Sequence, residues 1–146
     1  MAREFPLQSL LDLSQLKLDE AARRLGELIA GQQEATQRLD LLVQYREEYR
    51  ARFLAAAKEG IGREALHNFR GFLDRLDDAV VQATELVAAS QQRTTIGQQE
   101  WLGKRGKVKA FDTLAKRHEA RIDYAEQRQE QKELDEHVAI RRKNGE

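Results

Sequence analysis

The chain contains no cysteine and a single proline, Pro6, among its 146 residues. Without cysteine there is no disulfide framework and no thiolate metal site. With one proline, near the start, it lacks the turn punctuation of a compact globule of this length. Aromatic residues reach only 6%, which argues against a thick apolar core. No sign of charge prevails, since 25 basic and 25 acidic side chains cancel. No chain-wide field therefore directs the protein to nucleic acid or to a membrane. No apolar run approaches the ~18 residues of a membrane span, and no basic segment leads into an apolar one as in a secretion signal. These absences predict a soluble, cytoplasmic chain.

What is present is Leu, Ala, Glu, Gln, Arg and Lys, the good helix formers, with charge spread evenly over 34% of positions. That mixture reads as long helices with thin apolar seams. Stepping by seven from Leu11 meets Leu18, Leu25, Gln32, Leu39, Arg46 and Phe53, and from Ser14 it meets Ala21, Leu28, Ala35, Leu42, Tyr49 and Ala56. The two series are offset by three, the a and d positions of a heptad coiled coil. A lone helix of 3.6 residues per turn drifts out of a seven-residue stride, so a stride held this long implies a supercoiled partner.

The second half repeats the pattern. Its a series is Leu66, Leu73, Val80, Val87, Thr94, Trp101, Val108, Ala115 and Ile122. Its d series is Phe69, Leu76, Ala83, Ser90, Gly97, Lys104, Phe111, His118 and Ala125. The register passes through Gly97, Gly103 and Gly106 without a skip. One helix is expected there, weakened locally by about 1 kcal/mol per glycine relative to alanine.

The stride breaks only at Lys58-Glu59-Gly60-Ile61-Gly62-Arg63, where paired glycines offer a C-cap and a reversal. The fold class expected is all-α: an antiparallel two-helix coiled-coil hairpin, one unit over 1–146, with helix 1 about 6–58, a tip about 59–63 and helix 2 about 64–143. Counting outward from the tip pairs Phe53 with Phe69, Tyr49 with Leu73, Leu42 with Val80, Ala21 with Trp101 and Leu11 with Phe111. It also pairs Gln32 with Ser90, a polar layer of the kind that sets register. Because helix 2 is longer, it is expected to run unpartnered from about Ile122, where the sequence turns polar.

Chemistry is poorly represented. His67, His118 and His137 lie far apart in sequence, so no pair of histidines stands at i, i+4 with a carboxylate to form a metal motif. His118 reads as a seam residue. Gly60-Ile61-Gly62 lacks the Lys-Ser/Thr of a phosphate loop, and carboxylates on a rod meet no cleft that would perturb them. No enzyme activity, cofactor or metal is expected.

Two surfaces stand out instead. Lys104, Arg105, Lys107, Lys109, Lys116, Arg117 and Arg121 outnumber Asp112 and Glu119. They suit an acidic protein or a phosphate backbone, or else form an ordinary solvated face. Nucleic-acid recognition lacks interleaved aromatics or a groove-reading motif. The second surface lies beside the seam, where Tyr45, Phe72 and Ala79 occupy g positions next to Leu42, Tyr49 and Leu76. An apolar strip there suggests a protein-binding site, or simply a wider seam.

Particular segments narrow the choice. Asp19 to Glu27 (DEAARRLGE), Tyr45-Arg46-Glu47-Glu48-Tyr49-Arg50, Gly60-Ile61, Asn68-Phe69 leading to Phe72-Leu73 and Leu76, the lone Trp101, and Gln131-Lys132-Glu133-Leu134-Asp135-Glu136 occur in this order. In these the chain resembles the flagellar FliJ family over essentially its whole length. The resemblance implies a component of the type III flagellar export apparatus that looks like the γ stalk of rotary ATPases. It implies insertion of the open end into the hexameric export ATPase FliI, contact with the cytoplasmic domain of the export gate FlhA, and escort of export chaperones. Such a protein would be peripheral at the cytoplasmic face of the inner membrane through these partners. Carried over, the gate-binding positions are Leu42, Tyr45, Tyr49, Phe72, Leu76 and Ala79. Arg38 and Ala83 depart from the glutamine and histidine that the family pattern implies. For the ATPase ring the candidates are Trp101, Lys104, Arg105, Lys107, Lys109, Arg117 and Arg121. A generic coiled-coil scaffold that dimerises through its heptads is the alternative reading, and a nucleic-acid-binding arm a third.

Overall fold

A computed structural model of the chain describes residues 4–145. Among them lie two α-helices and no strand, α1 spanning Gln8–Glu59 and α2 spanning Arg63–Lys143. Contacts divide the fold into two units. One is Ala21–Trp101, and the other joins the residues before Ala21 to those after Trp101.

The unit Ala21–Trp101 contains the hairpin tip. The last turn of α1 carries Lys58 and the first turn of α2 carries Glu64, charges that complement the helix dipoles. Gly60 takes φ +90°, a left-handed conformation that glycine adopts without a Cβ penalty. Its N–H donates to Ala57 O at 3.3 Å, and two residues later Gly62 O accepts the opening hydrogen bond of α2 from Leu66 N–H at 3.0 Å. One helix is capped and the next begun within three residues. The second helix must then return antiparallel to the first.

Burial follows the heptads. Along α1 and α2, every a and d position from Leu11 to Ala56 and from Leu66 to Ile122 is buried or half-buried. The most buried are small or medium residues: Ser14, Ala21, Leu76, Val80, Ala83, Ser90 and Gly97. A two-helix seam has no third wall, so only side chains that end between the two backbones escape water. Most leucines and rings of the seam, such as Leu25, Leu39 and Phe53, reach past its edge and stay half-buried, Leu76 being the exception.

Helix 2 stays continuous through Gly97, Gly103 and Gly106. The proposed polar layer does not form a cross-helix bond. Ser90 Oγ instead donates to Val87 O of its own helix at 2.8 Å, because a short hydroxyl in a helix reaches the preceding turn more easily than the opposite helix. The cross-helix bond lies one turn on, where Thr94 Oγ1 is 3.0 Å from Ser90 O and 3.3 Å from Leu28 O. Cross-helix ion pairs flank the seam. Arg24 donates to Glu100 at 2.6 Å, and Asp77 receives both Arg46 at 3.5 Å and Arg50 at 3.4 Å.

In the other unit the start of α1 lies against α2. Leu11 N–H donates to Leu7 O at 3.0 Å, and Gln8 N–H closes a turn on Phe5 O, also at 3.0 Å. The Phe5 and His118 rings meet at 5.7 Å. His118 is half-buried, and its Nε2 is buried without a hydrogen-bond partner. Beyond Glu126 every described residue is exposed. The helix nonetheless continues to a cap at Gly145, φ +76°, whose N–H donates to Arg142 O, with Arg141, Arg142 and Lys143 in the last turn.

Candidate protein-binding surface

Near the tip, the heptads and the i, i+3, i+4 spacing of both helices bring five rings together. Phe53 and Phe69 face each other across the seam at 5.6 Å. Tyr49 lies 5.4 Å from Phe69 and 4.5 Å from Phe72. Tyr45 then meets Phe72 edge-on at 6.2 Å and 84°. Tilted and edge-on pairs at these separations are the favourable ones, worth about 0.5–1.5 kcal/mol each beyond burial. The Arg75 guanidinium sits 5.6 Å from the Phe72 centroid, closing the cluster with a cation–π contact.

The six positions read from sequence as a gate-binding strip are unequal. Leu76 is buried at 7%, and Leu42, Tyr49, Phe72 and Ala79 are half-buried. Only Tyr45 is exposed, at 42%. The strip is therefore less open than the heptad positions suggested, because Phe72 leans onto Tyr49 and covers it. Tyr45 remains as a ring held by its edge, with its far side in water. Ala83 is 4% exposed and offers nothing to a partner. Arg38 lines an open notch with Gly31, Leu86 and Arg93, further along the same g edge. Near the tip the opposite edge carries the Arg46, Arg50 and Asp77 pairs, so there the two edges of the seam differ in chemistry, aromatic on one and ionic on the other. Further along, the first edge also carries charge, in Arg24–Glu100.

Sequence reasoning missed this ionic edge and the Arg75 contact. The signals were an arginine at the a position 46 and an aspartate at the e position 77, which a search for apolar seams passes over. Arg46 keeps 21% of its side chain exposed, and its Nε is buried with no hydrogen-bond partner, so the guanidinium escapes sideways from the seam to Asp77.

The basic residues of α2 have another geometry. Lys104 is half-buried at a d position, whereas Arg105, Lys107, Lys109, Arg117 and Arg121 are exposed. Their heptad positions are e, g, b, c and g, so they encircle the helix rather than share one face. Lys116 pairs with Asp112 at 3.2 Å. Trp101, at an a position, is half-buried. Among the described residues no group of three or more His, Asp or Glu could hold a metal ion, and no described helix is long and apolar enough to cross a membrane.

A continuous heptad hairpin with one aromatic edge has relatives. The family model described as flagellar FliJ protein matches residues 3–146. The chain belongs to the flagellar FliJ family. It is 32% identical over 136 residues to the flagellar FliJ protein of Salmonella typhi, covering 93% of this chain and 92% of that one. Identity and coverage are the same against the flagellar FliJ protein of Escherichia coli strain K12. Among solved structures it is similar to a YscO homolog of Chlamydia trachomatis, at a TM-score of 0.69 and 16% identity, covering 94% of this chain and 93% of that one. That likeness is one of fold. Membership of the family makes this chain a component of flagellar protein export.

Proposed function

We propose that the protein couples the export ATPase to the export gate. The aromatic edge binds the gate, and the basic stretch of α2 sits inside the ATPase ring. The observation that carries the gate reading is Tyr45, a ring fixed by Phe72 at 6.2 Å yet 42% exposed. Interface hot spots are enriched in tyrosine held in advance by its neighbours, since little conformational entropy is then lost on binding. Tyr49 and Phe72 flank that ring, and Leu42, Leu76 and Ala79 complete the strip by their heptad positions. The partner is the cytoplasmic domain of FlhA.

The ring reading draws on the encircling charges. A helix that docks on one surface needs one face, whereas a helix inside a lumen meets partner atoms all round. Arg105, Lys107, Lys109, Arg117 and Arg121 suit the second case, with Lys104 and Trp101 on the seam side. Two unlike helices inside the FliI hexamer favour some subunit interfaces over others, and so promote assembly and ATP turnover. Escort of export chaperones, residence in the cytoplasm and a peripheral association with the inner membrane follow from the same partners.

Calorimetric titration of the FlhA cytoplasmic domain tests the gate reading. Tyr45→Ala is expected to weaken binding by about 2 kcal/mol or more, as hot-spot truncations do, with helicity unchanged by circular dichroism. Unchanged affinity would remove Tyr45, and the edge with it, from the gate interface. For the ring, FliI hydrolysis and oligomerisation are measured with and without the protein. No stimulation by wild type, or full stimulation by a Lys109→Glu, Arg117→Glu, Arg121→Glu variant, would refute that reading.

A further inference from the structure

The unit formed by the residues before Ala21 and after Trp101 holds an open groove of about 370 Å³ between its two helices. Its floor is apolar, built from Leu10 and Leu13 of α1 with Ala110 and Phe111 of α2. Leu10 is 45% exposed and Leu13 46%, so the floor is uncovered. Three cations line it: Lys17, Lys104 and Lys107. No carboxylate lines it, and none of the three lysines makes an ion pair among the described residues. This contrasts with the notch beside Gly31, where Glu27, Glu34, Arg38 and Arg93 mix both signs.

We propose that this groove takes a third helix, an acidic amphipathic helix supplied by a partner protein. The shape is that of a helix-in-groove site, in which anchors at i, i+3 and i+7 enter an apolar cleft. A two-helix coiled coil leaves such a cleft along each edge, because its seam is closed on two sides only. Leucine-sized anchors would lie over Leu10, Leu13 and Phe111, completing locally a three-helix seam. The lysines select against basic or neutral helices, since a carboxylate flanking the anchors meets a cation without a partner. A second copy of this chain fits poorly, because the copy would bring the same three lysines to the cleft.

The groove shares Lys104 and Lys107 with the ring surface proposed above but does not depend on that reading. A displayed library of amphipathic helices of about five turns, with one leucine face and either Glu or Lys on its flanks, is panned on the full chain. Wild type is expected to enrich Glu-flanked helices by about tenfold or more over Lys-flanked ones. The variant Lys17→Glu, Lys107→Glu should reverse that preference, and Leu13→Asp should remove enrichment of both, each with helicity intact by circular dichroism. No enrichment, enrichment blind to charge, or enrichment that survives Leu13→Asp overturns the proposal. So does a dimer in sedimentation that Leu13→Asp dissociates, which would assign the groove to a second copy. Binding of phosphatidylserine vesicles lost in the lysine variant would assign it to lipid instead. The Lys109→Glu, Arg117→Glu, Arg121→Glu variant leaves the groove untouched, so its ATPase stimulation reports on the ring alone.

Discussion

Gly97 of α2 and Leu28 of α1 approach so closely that a Cβ on Gly97 would lie 2.6 Å from Leu28 Cδ1. The leucine is a knob, and the missing side chain is its hole. The same layer holds Leu25 within 3.8 Å of that Cβ position and Thr94 within reach of Leu28 O. Close backbone approach, not bulk, closes the seam here.

Gly97→Val should therefore destabilise the protein by about 1–3 kcal/mol, the usual cost of overpacking, in urea unfolding followed by circular dichroism. Gly97→Ala should come out near neutral. Its gain in helix propensity, about 1 kcal/mol, is offset by a displaced Leu28 rotamer costing about 0.5–1.5 kcal/mol. Gly103→Ala and Gly106→Ala have nothing within 4 Å of the added atom and should each stabilise by about 0.5–1 kcal/mol.

At the tip, Gly60→Ala forces φ +90° on a residue with a Cβ, in the left-handed region that costs non-glycine residues about 1–2 kcal/mol. A lower urea midpoint with unchanged slope is the expected result. Gly62→Ala, with ordinary φ and open space around it, should have a smaller effect.

The rings separate stability from binding. Tyr49 touches Phe69 and Phe72 and is half-buried, so Tyr49→Ala should cost about 2 kcal/mol or more of stability. Tyr45→Ala should cost less, about 0.5–1.5 kcal/mol, because its exposed ring gives up only peripheral contacts with Phe72 and Tyr49. Comparing unfolding midpoints with gate affinity for the two variants distinguishes a scaffold ring from a contact ring.

The ionic edge should matter little and fade with salt. Asp77→Ala removes the cross-helix acceptor of Arg46 and Arg50, but both still pair with Glu47 of their own helix and are partly exposed. A loss of about 0.2–1 kcal/mol is expected at low ionic strength, shrinking towards zero in molar salt. Arg46→Met restores an apolar a position and should equal or exceed wild type in stability.

Past Glu126 no described residue is buried, so removing residues 127–146 should leave the unfolding midpoint unchanged within about 0.5 kcal/mol. Amides of that stretch should exchange far faster than those of Leu76 or Val80, since an unpacked helix of this length is marginal in water.

The sequence by itself determined the class of fold, the reversal at Gly60 to Gly62 and the list of seam residues. A seven-residue stride needs a helical partner along its seam, and two glycines between two such runs let the chain turn back and supply that partner itself. The apolar strip beside the seam was also legible, because a g position is a matter of counting. Tertiary structure decided how far each side chain emerges. Tyr45 and Phe72 occupy equivalent heptad positions, yet one stands in water and the other lies on Tyr49. Counting cannot rank them, because exposure depends on rotamer and on the ring opposite. It also decided where the polar groups of the seam go, turning Ser90 back to Val87 and sending Arg46 out to Asp77. The lysine-lined groove at Leu10 and Leu13 is tertiary in the same sense. Its walls come from two stretches of the chain, 10–17 and 104–111, far apart in sequence and brought side by side only when the helices pair.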